Sequence, residues 1–83
     1  MEYKIRYKNS VAKDLQSIEK KYKTQILDRI DDSLASKPQK YPILKGRFLG
    51  LRKMRVGNYR VIYTILNDEV LILRVGHRRE VYR

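Results

Sequence analysis

The chain has 83 residues and no cysteine, which allows one modest hydrophobic core and excludes disulfide staples, thiol nucleophiles and thiolate metal sites. Lysine and arginine number 20 against 9 carboxylates, and a net charge of +11 implies a polyanionic partner, usually nucleic acid, or an acidic protein that neutralises it. Apolar residues make up 42%, enough for a fold, and no apolar run is long enough to cross a bilayer.

Taken in order, Glu2 to Tyr7 alternates, with Tyr3, Ile5 and Tyr7 on one side and Glu2, Lys4 and Arg6 on the other, as a half-buried strand does. This start has no greasy leader segment, so no signal peptide is expected and the cytoplasm is the simplest compartment. Asn9 or Ser10 can cap the helix that follows, and Asp14 is early enough in it to favour its positive end. Val11, Leu15 and Ile18 form that helix's apolar stripe. The basic interval Lys20 to Lys23 is either a bend or continuous helix, since no glycine or proline stops it. Tyr22, Ile26, Ile30 and Leu34 then recur four apart, and the second helix should stop near Ala35 or Ser36, ahead of Pro38. Lys37 to Gly50 holds both prolines and reads as a loop, with Tyr41, Ile43, Leu44, Phe48 and Leu49 as candidate anchors.

Three strands are predicted after the loop: Leu51 to Val56, Tyr59 to Leu66 and Val70 to Val75, rich in β-branched and aromatic residues. Gly57-Asn58 marks one hairpin turn, with Asn58 also tolerant of a left-handed backbone, and Asn67-Asp68-Glu69 marks another. The expected fold is α+β, a single domain over residues 1–83. An N-terminal strand and a two-helix hairpin pack on a small, mainly antiparallel sheet of about four strands. The neighbour of the first strand is left open.

No carboxylate occurs between Asp32 and Asp68, while Lys37, Lys40, Lys45, Arg47, Arg52, Lys53, Arg55 and Arg60 all do. A phosphate-free chemistry finds little here. His77 is the only histidine, the acids lack ligand-like spacing, and no glycine-rich phosphate loop precedes a helix, so neither a metal nor a nucleotide cofactor is expected. Metal-independent phosphodiester cleavage needs a base for the attacking hydroxyl, cationic donors for the non-bridging oxygens and a proton for the leaving oxygen. Lys53 and Arg55, two apart on a strand, project from one face, and Arg60 can join them across the hairpin if the turn register allows. Arg78 follows the last strand and Tyr82 lies four residues on; a phenol among arginines is a plausible base because cations favour its phenolate. His77 has the ordinary pKa best suited to neutral proton transfer. Each has a plainer reading: Lys53 and Arg55 as solvated charges, Arg60 as an ion-pair partner within the fold, Tyr82 as terminal packing. Tyr59 is the strand tyrosine best placed to reach a base or a partner, and Lys45, Arg47, Arg52, Arg74, Arg79 and Arg83 complete the candidate nucleic-acid-binding set.

Together the opening strand with NSVAKDLQSI, the block LRKMRVGNYRVIY and the ending LRVGHRREVY resemble the RelE/ParE toxin superfamily over essentially the full length, on the RelE side of type II toxin–antitoxin systems. The resemblance implies the RelE-like, microbial-ribonuclease type of fold. It implies a toxin that cuts messenger RNA in the ribosomal A site, without a metal, through attack of a ribose 2′-hydroxyl on the adjacent phosphate. By position, Lys53 and Arg55 match the family's two basic strand residues and Arg60 its phosphate-contacting arginine. Arg78 matches the arginine assigned to the transition state or leaving group, and Tyr82 the C-terminal general base. Arg55 replaces a lysine of the best-studied form, and the Arg78-to-Tyr82 interval is shorter, so proton transfer is shared with His77 or moved to it as an alternative. The implied partners are the ribosome, its message and an acidic, partly disordered antitoxin through which operator DNA is bound only indirectly. A ParE-like inhibitor of DNA gyrase without nuclease activity, or a catalytically degenerate RNA-binding relative, is the alternative.

Overall fold

A computed structural model describes residues 2–44 and 50–77. Strand β1 (Lys4–Tyr7) leads into helix α1 (Val11–Gln16), and α2 (Lys20–Arg29) runs on into a π-helical segment, Ile30–Leu34. A 3₁₀ turn at Pro38–Lys40 precedes β2 (Arg52–Val56), β3 (Tyr59–Leu66) and β4 (Glu69–His77). The sheet order is β1-β4-β3-β2, with β1 parallel to β4 and the other pairs antiparallel. This α+β arrangement matches the expected class and supplies the missing neighbour of β1. No helix among the described residues is long and apolar enough to cross a membrane.

The register shows which residues share a face. Met54 opposes Val61, Val61 opposes Val75, Tyr63 opposes Ile72, and Ile5 opposes Val70, so all of these point to one side. Val11, Ile18, Ile26, Ile30 and Leu34 from the helices pack on that side and complete the core. Each fully buried aliphatic or aromatic side chain there contributes about 1.5–3 kcal/mol relative to exposure. The helical stripe is strictly four apart from Tyr22 to Leu34, and in a helix of about 3.6 residues per turn such a stripe drifts around the axis. The wider π turn at Ile30–Leu34 counters that drift, and both of its ends are buried.

Local details differ from the sequence reading in instructive ways. Ser10 occupies the N-cap of α1 but makes no side-chain capping bond. The break between the helices falls at 17–19 rather than at Lys20–Lys23, where α2 begins: the Ile18 N–H turns back to the Leu15 carbonyl at 3.1 Å, and Glu19 is extended, with φ −52° and ψ 141°. Glu69 is the first residue of β4, pairing with Leu66, so the second turn is Asn67-Asp68 with Asn67 at φ 56°. In the first turn Gly57 alone is left-handed, at φ 61°, as in a II′ hairpin, and Asn58 does not take that conformation.

The loop before β2 is tied down from both sides. The buried Tyr63 hydroxyl donates to the Pro38 carbonyl at 2.6 Å, and Arg52 donates to the Tyr41 carbonyl at 2.6 Å and the Gln39 carbonyl at 3.2 Å. Ile43 bridges Arg52, and Leu44 N–H donates to the Leu51 carbonyl at 2.8 Å, so the outer edge of β2 is partly covered. Of the predicted anchors, Tyr41 and Leu44 are partly buried and Ile43 is half exposed; Phe48 and Leu49 lie outside the described residues.

Candidate functional site

The β2–β3 hairpin sets the site. Because Val56 pairs with Tyr59 around a two-residue turn, Arg55 stands directly opposite Arg60, and Lys53 stands opposite Ile62. Ile62 in turn opposes Arg74 on β4. Lys53, Arg55, Arg60 and Arg74 therefore share the face turned away from the helices, which resolves the facing of Arg60 that pattern alone left open. Like charges set directly across a ladder repel each other. Among the described residues no carboxylate is paired with Lys53 or Arg55. At the centre of the face Ile62 is only 4% exposed although it lies outside the main core. Its ladder neighbours Lys53 and Arg74 have long apolar stems able to cover it while their charged ends stay wet.

Arg74 and Arg52 are each held by neighbouring groups. Arg74 Nε lies 3.4 Å from Asp14 Oδ2 on α1, and the same carboxylate oxygen accepts the Val75 N–H at 3.0 Å. This happens where β1 has ended: its last partner on β4 is Ile72, and a bulge between Ile62 and Tyr63 shifts the β3–β4 register at the same point. Asp14 thus takes over the free edge of β4 and holds Arg74 beside it. Arg52 lies on the core side, opposite Tyr63, with its guanidinium on the loop carbonyls already described. Sequence pattern gives Asp14 only a helix-dipole role, and no local pattern announces a contact with a strand 61 residues away.

Tyr59 and His77 form the last β3–β4 pair and sit on the helix side of the sheet, not with Lys53, Arg55 and Arg60. Their rings meet edge to face at 5.9 Å, and Tyr22 of α2 packs on Tyr59 at 5.6 Å with a 37° tilt. Tyr22 belongs by its spacing to the core stripe, yet it is 36% exposed. Arg78, Tyr82, Lys45, Arg47, Arg79 and Arg83 lie outside the described residues. Burial, reinforced by the Asp31 carboxylate, raises the Tyr7 phenol pKa. At Tyr41 burial pushes upward, but hydrogen bonds from Ser33 and Arg29 and the charges of Arg29 and Lys40 outweigh it and lower the phenol pKa. Among the described residues no cluster of three or more histidine or acidic side chains is gathered as a metal site requires.

Solved structures share this architecture. The toxin–antitoxin complex RelBE2 of Mycobacterium tuberculosis contains a chain that superposes with a TM-score of 0.87 at 26% identity, covering 94% of this chain and 100% of that one. The archaeal RelE–RelB complex of Pyrococcus horikoshii gives 0.76 at 30% identity, covering 98% and 100%. In sequence, Toxin RelG of Mycobacterium tuberculosis is 28% identical over 86 residues, spanning 100% of this chain and 99% of RelG. Fold and sequence together define a toxin of the RelE/ParE superfamily. The model of the ParE toxin of the type II toxin–antitoxin system parDE matches residues 5–82, and the chain belongs to that family.

Proposed function

We propose that this toxin is a ribosome-dependent messenger RNA endoribonuclease whose phosphate-binding surface is the open face of the sheet. The observation that carries this reading is the register itself: Arg55 opposite Arg60, with Lys53 two residues along on the same face. Three fixed cations at ladder spacing suit a phosphodiester group, whose charge concentrates on the non-bridging oxygens as the reaction proceeds. In the proposed reaction the O2′–P bond forms as the P–O5′ bond breaks, a base takes the 2′-hydroxyl proton and an acid supplies one to O5′. The resemblance assigns the base to Tyr82 and the leaving-group side to Arg78. His77, which faces the other side of the sheet, would have to act around the end of β4. A second reading, inhibition of DNA gyrase without cleavage, draws its support from the match to the ParE family. A cognate antitoxin is proposed as the partner in either case, acidic enough to answer a charge of +11. The RelBE2 and RelE–RelB structures hold their toxins in complexes of that kind.

Primer extension on a translated message, with and without ribosomes, separates these readings. Cleavage only with ribosomes is the expected result. An intact message beside inhibited DNA supercoiling would replace the nuclease with the gyrase inhibitor. Arg60→Ala should lower the cleavage rate by about 3 kcal/mol of transition-state stabilisation with an unchanged circular dichroism spectrum. Equal cleavage by the folded variant removes Arg60 from the mechanism.

A further inference from the structure

On the helix side of the hairpin's turn end, Tyr22, Gln25, Asn58, Tyr59 and His77 line an open cleft of about 340 Å³. Its walls combine aromatic faces with two side-chain amides, each able both to donate and to accept. We infer that this cleft is a nucleobase site for single-stranded RNA, an inference that rests on the RNA-binding reading above. Single-stranded bases are held by stacking on aromatic rings and by hydrogen bonds to their edges, which is the chemistry present here.

Placement supports the same ligand. Tyr59 and Arg60 are consecutive on β3 and so point to opposite faces of one sheet layer, next to the turn where the sheet ends. A strand passing around that end presents phosphates to Arg55 and Arg60 and a neighbouring base to Tyr22 and Tyr59. The ring spacing defines how the base sits. Inserting a ring between two others needs about 7 Å, twice the contact distance of about 3.5 Å, whereas Tyr22 and Tyr59 are 5.6 Å apart. The base therefore stacks on the outer face of this pair instead of entering it, with Gln25 and Asn58 reaching its edge.

The test uses the purified full chain and a fluorescent 2′-O-methyl oligoribonucleotide, which lacks the attacking hydroxyl, beside an abasic oligomer of equal length and charge. Tyr22→Ala, a surface substitution, should weaken binding to the base-containing strand about 5- to 10-fold and leave the abasic strand unaffected. Lys53→Ala should weaken both strands alike. If Lys53→Ala weakens both while Tyr22→Ala changes neither, or changes both equally, the base site is wrong and the phosphate face stands. If Lys53→Ala and Arg60→Ala change neither, RNA binding by this face fails and the base site fails with it.

Discussion

At the scale of single residues, Tyr63 shows how one side chain couples the core to the loop that frames the site. It is fully buried, and its hydroxyl donates to the Pro38 carbonyl. Burial raises its pKa well above the ordinary phenol range, with the nearby Arg52 charge opposing and Tyr41 adding to the rise. A group whose folded pKa is raised stabilises the fold fully below its unfolded pKa of about 10 and loses that contribution as pH climbs toward the folded value. Tyr63→Phe should cost about 1–2 kcal/mol at pH 7, because the Pro38 carbonyl loses its donor. Above pH 10 the gap should close by up to about 1.4 kcal/mol per pH unit, since only the wild type gains an ionised unfolded state. Urea midpoints for the two proteins at pH 7, 9 and 11 check this; a constant gap to pH 11 would show that the buried phenol does not resist ionisation. The strand that carries Tyr63 is legible from its β-branched and aromatic residues, but the bond to a carbonyl 25 residues away is invisible to any local pattern.

At the scale of elements, strand and turn positions were legible because short-range physics decides them. Tyr59–Leu66 was predicted with its observed bounds, and Gly57 supplies the left-handed turn position that the first hairpin requires. The fate of β1 and the work of Asp14 were not legible, because both depend on where a parallel crossover lands and where it stops. β1 covers β4 only as far as Ile72, and α1 brings Asp14 to the next free N–H, at Val75. Asp14→Ala removes both the acceptor for Val75 and the anchor for Arg74, and should cost about 1–2 kcal/mol. Asp14→Asn keeps an oxygen for Val75 and loses only a partly exposed ion pair, so its cost should stay below about 1 kcal/mol. Amide exchange at Val75 separates the contributions: it should accelerate in the alanine variant and change little in the asparagine one. Equal acceleration in both would place the anchoring in the charge and not in the backbone bond.

At the scale of the whole molecule, charge is distributed by layer. The helical segment from Lys20 to Leu34 sets Lys20, Lys21, Lys23 and Arg29 against Asp28, Asp31 and Asp32, close to balance. β2 and β3 carry Arg52, Lys53, Arg55 and Arg60 and no carboxylate, and the register turns the last three of these outward together. Three positive charges are thus gathered on one rigid surface, where they can neutralise several phosphates at once. Each phosphate neutralised on a single strand releases a counterion, so log K falls with log salt by about 0.7 per contact. For the uncleavable oligoribonucleotide, replacing Lys53, Arg55 or Arg60 singly with alanine should flatten that slope by about 0.7 each. Arg52→Ala should leave the slope nearly unchanged, because its guanidinium is held by the Gln39 and Tyr41 carbonyls. Binding titrations across a range of salt concentrations measure all four. If Arg52 flattened the slope as much as its three neighbours do, charge number and not its arrangement on the sheet would govern RNA affinity, and the open face would lose its claim to be the phosphate site.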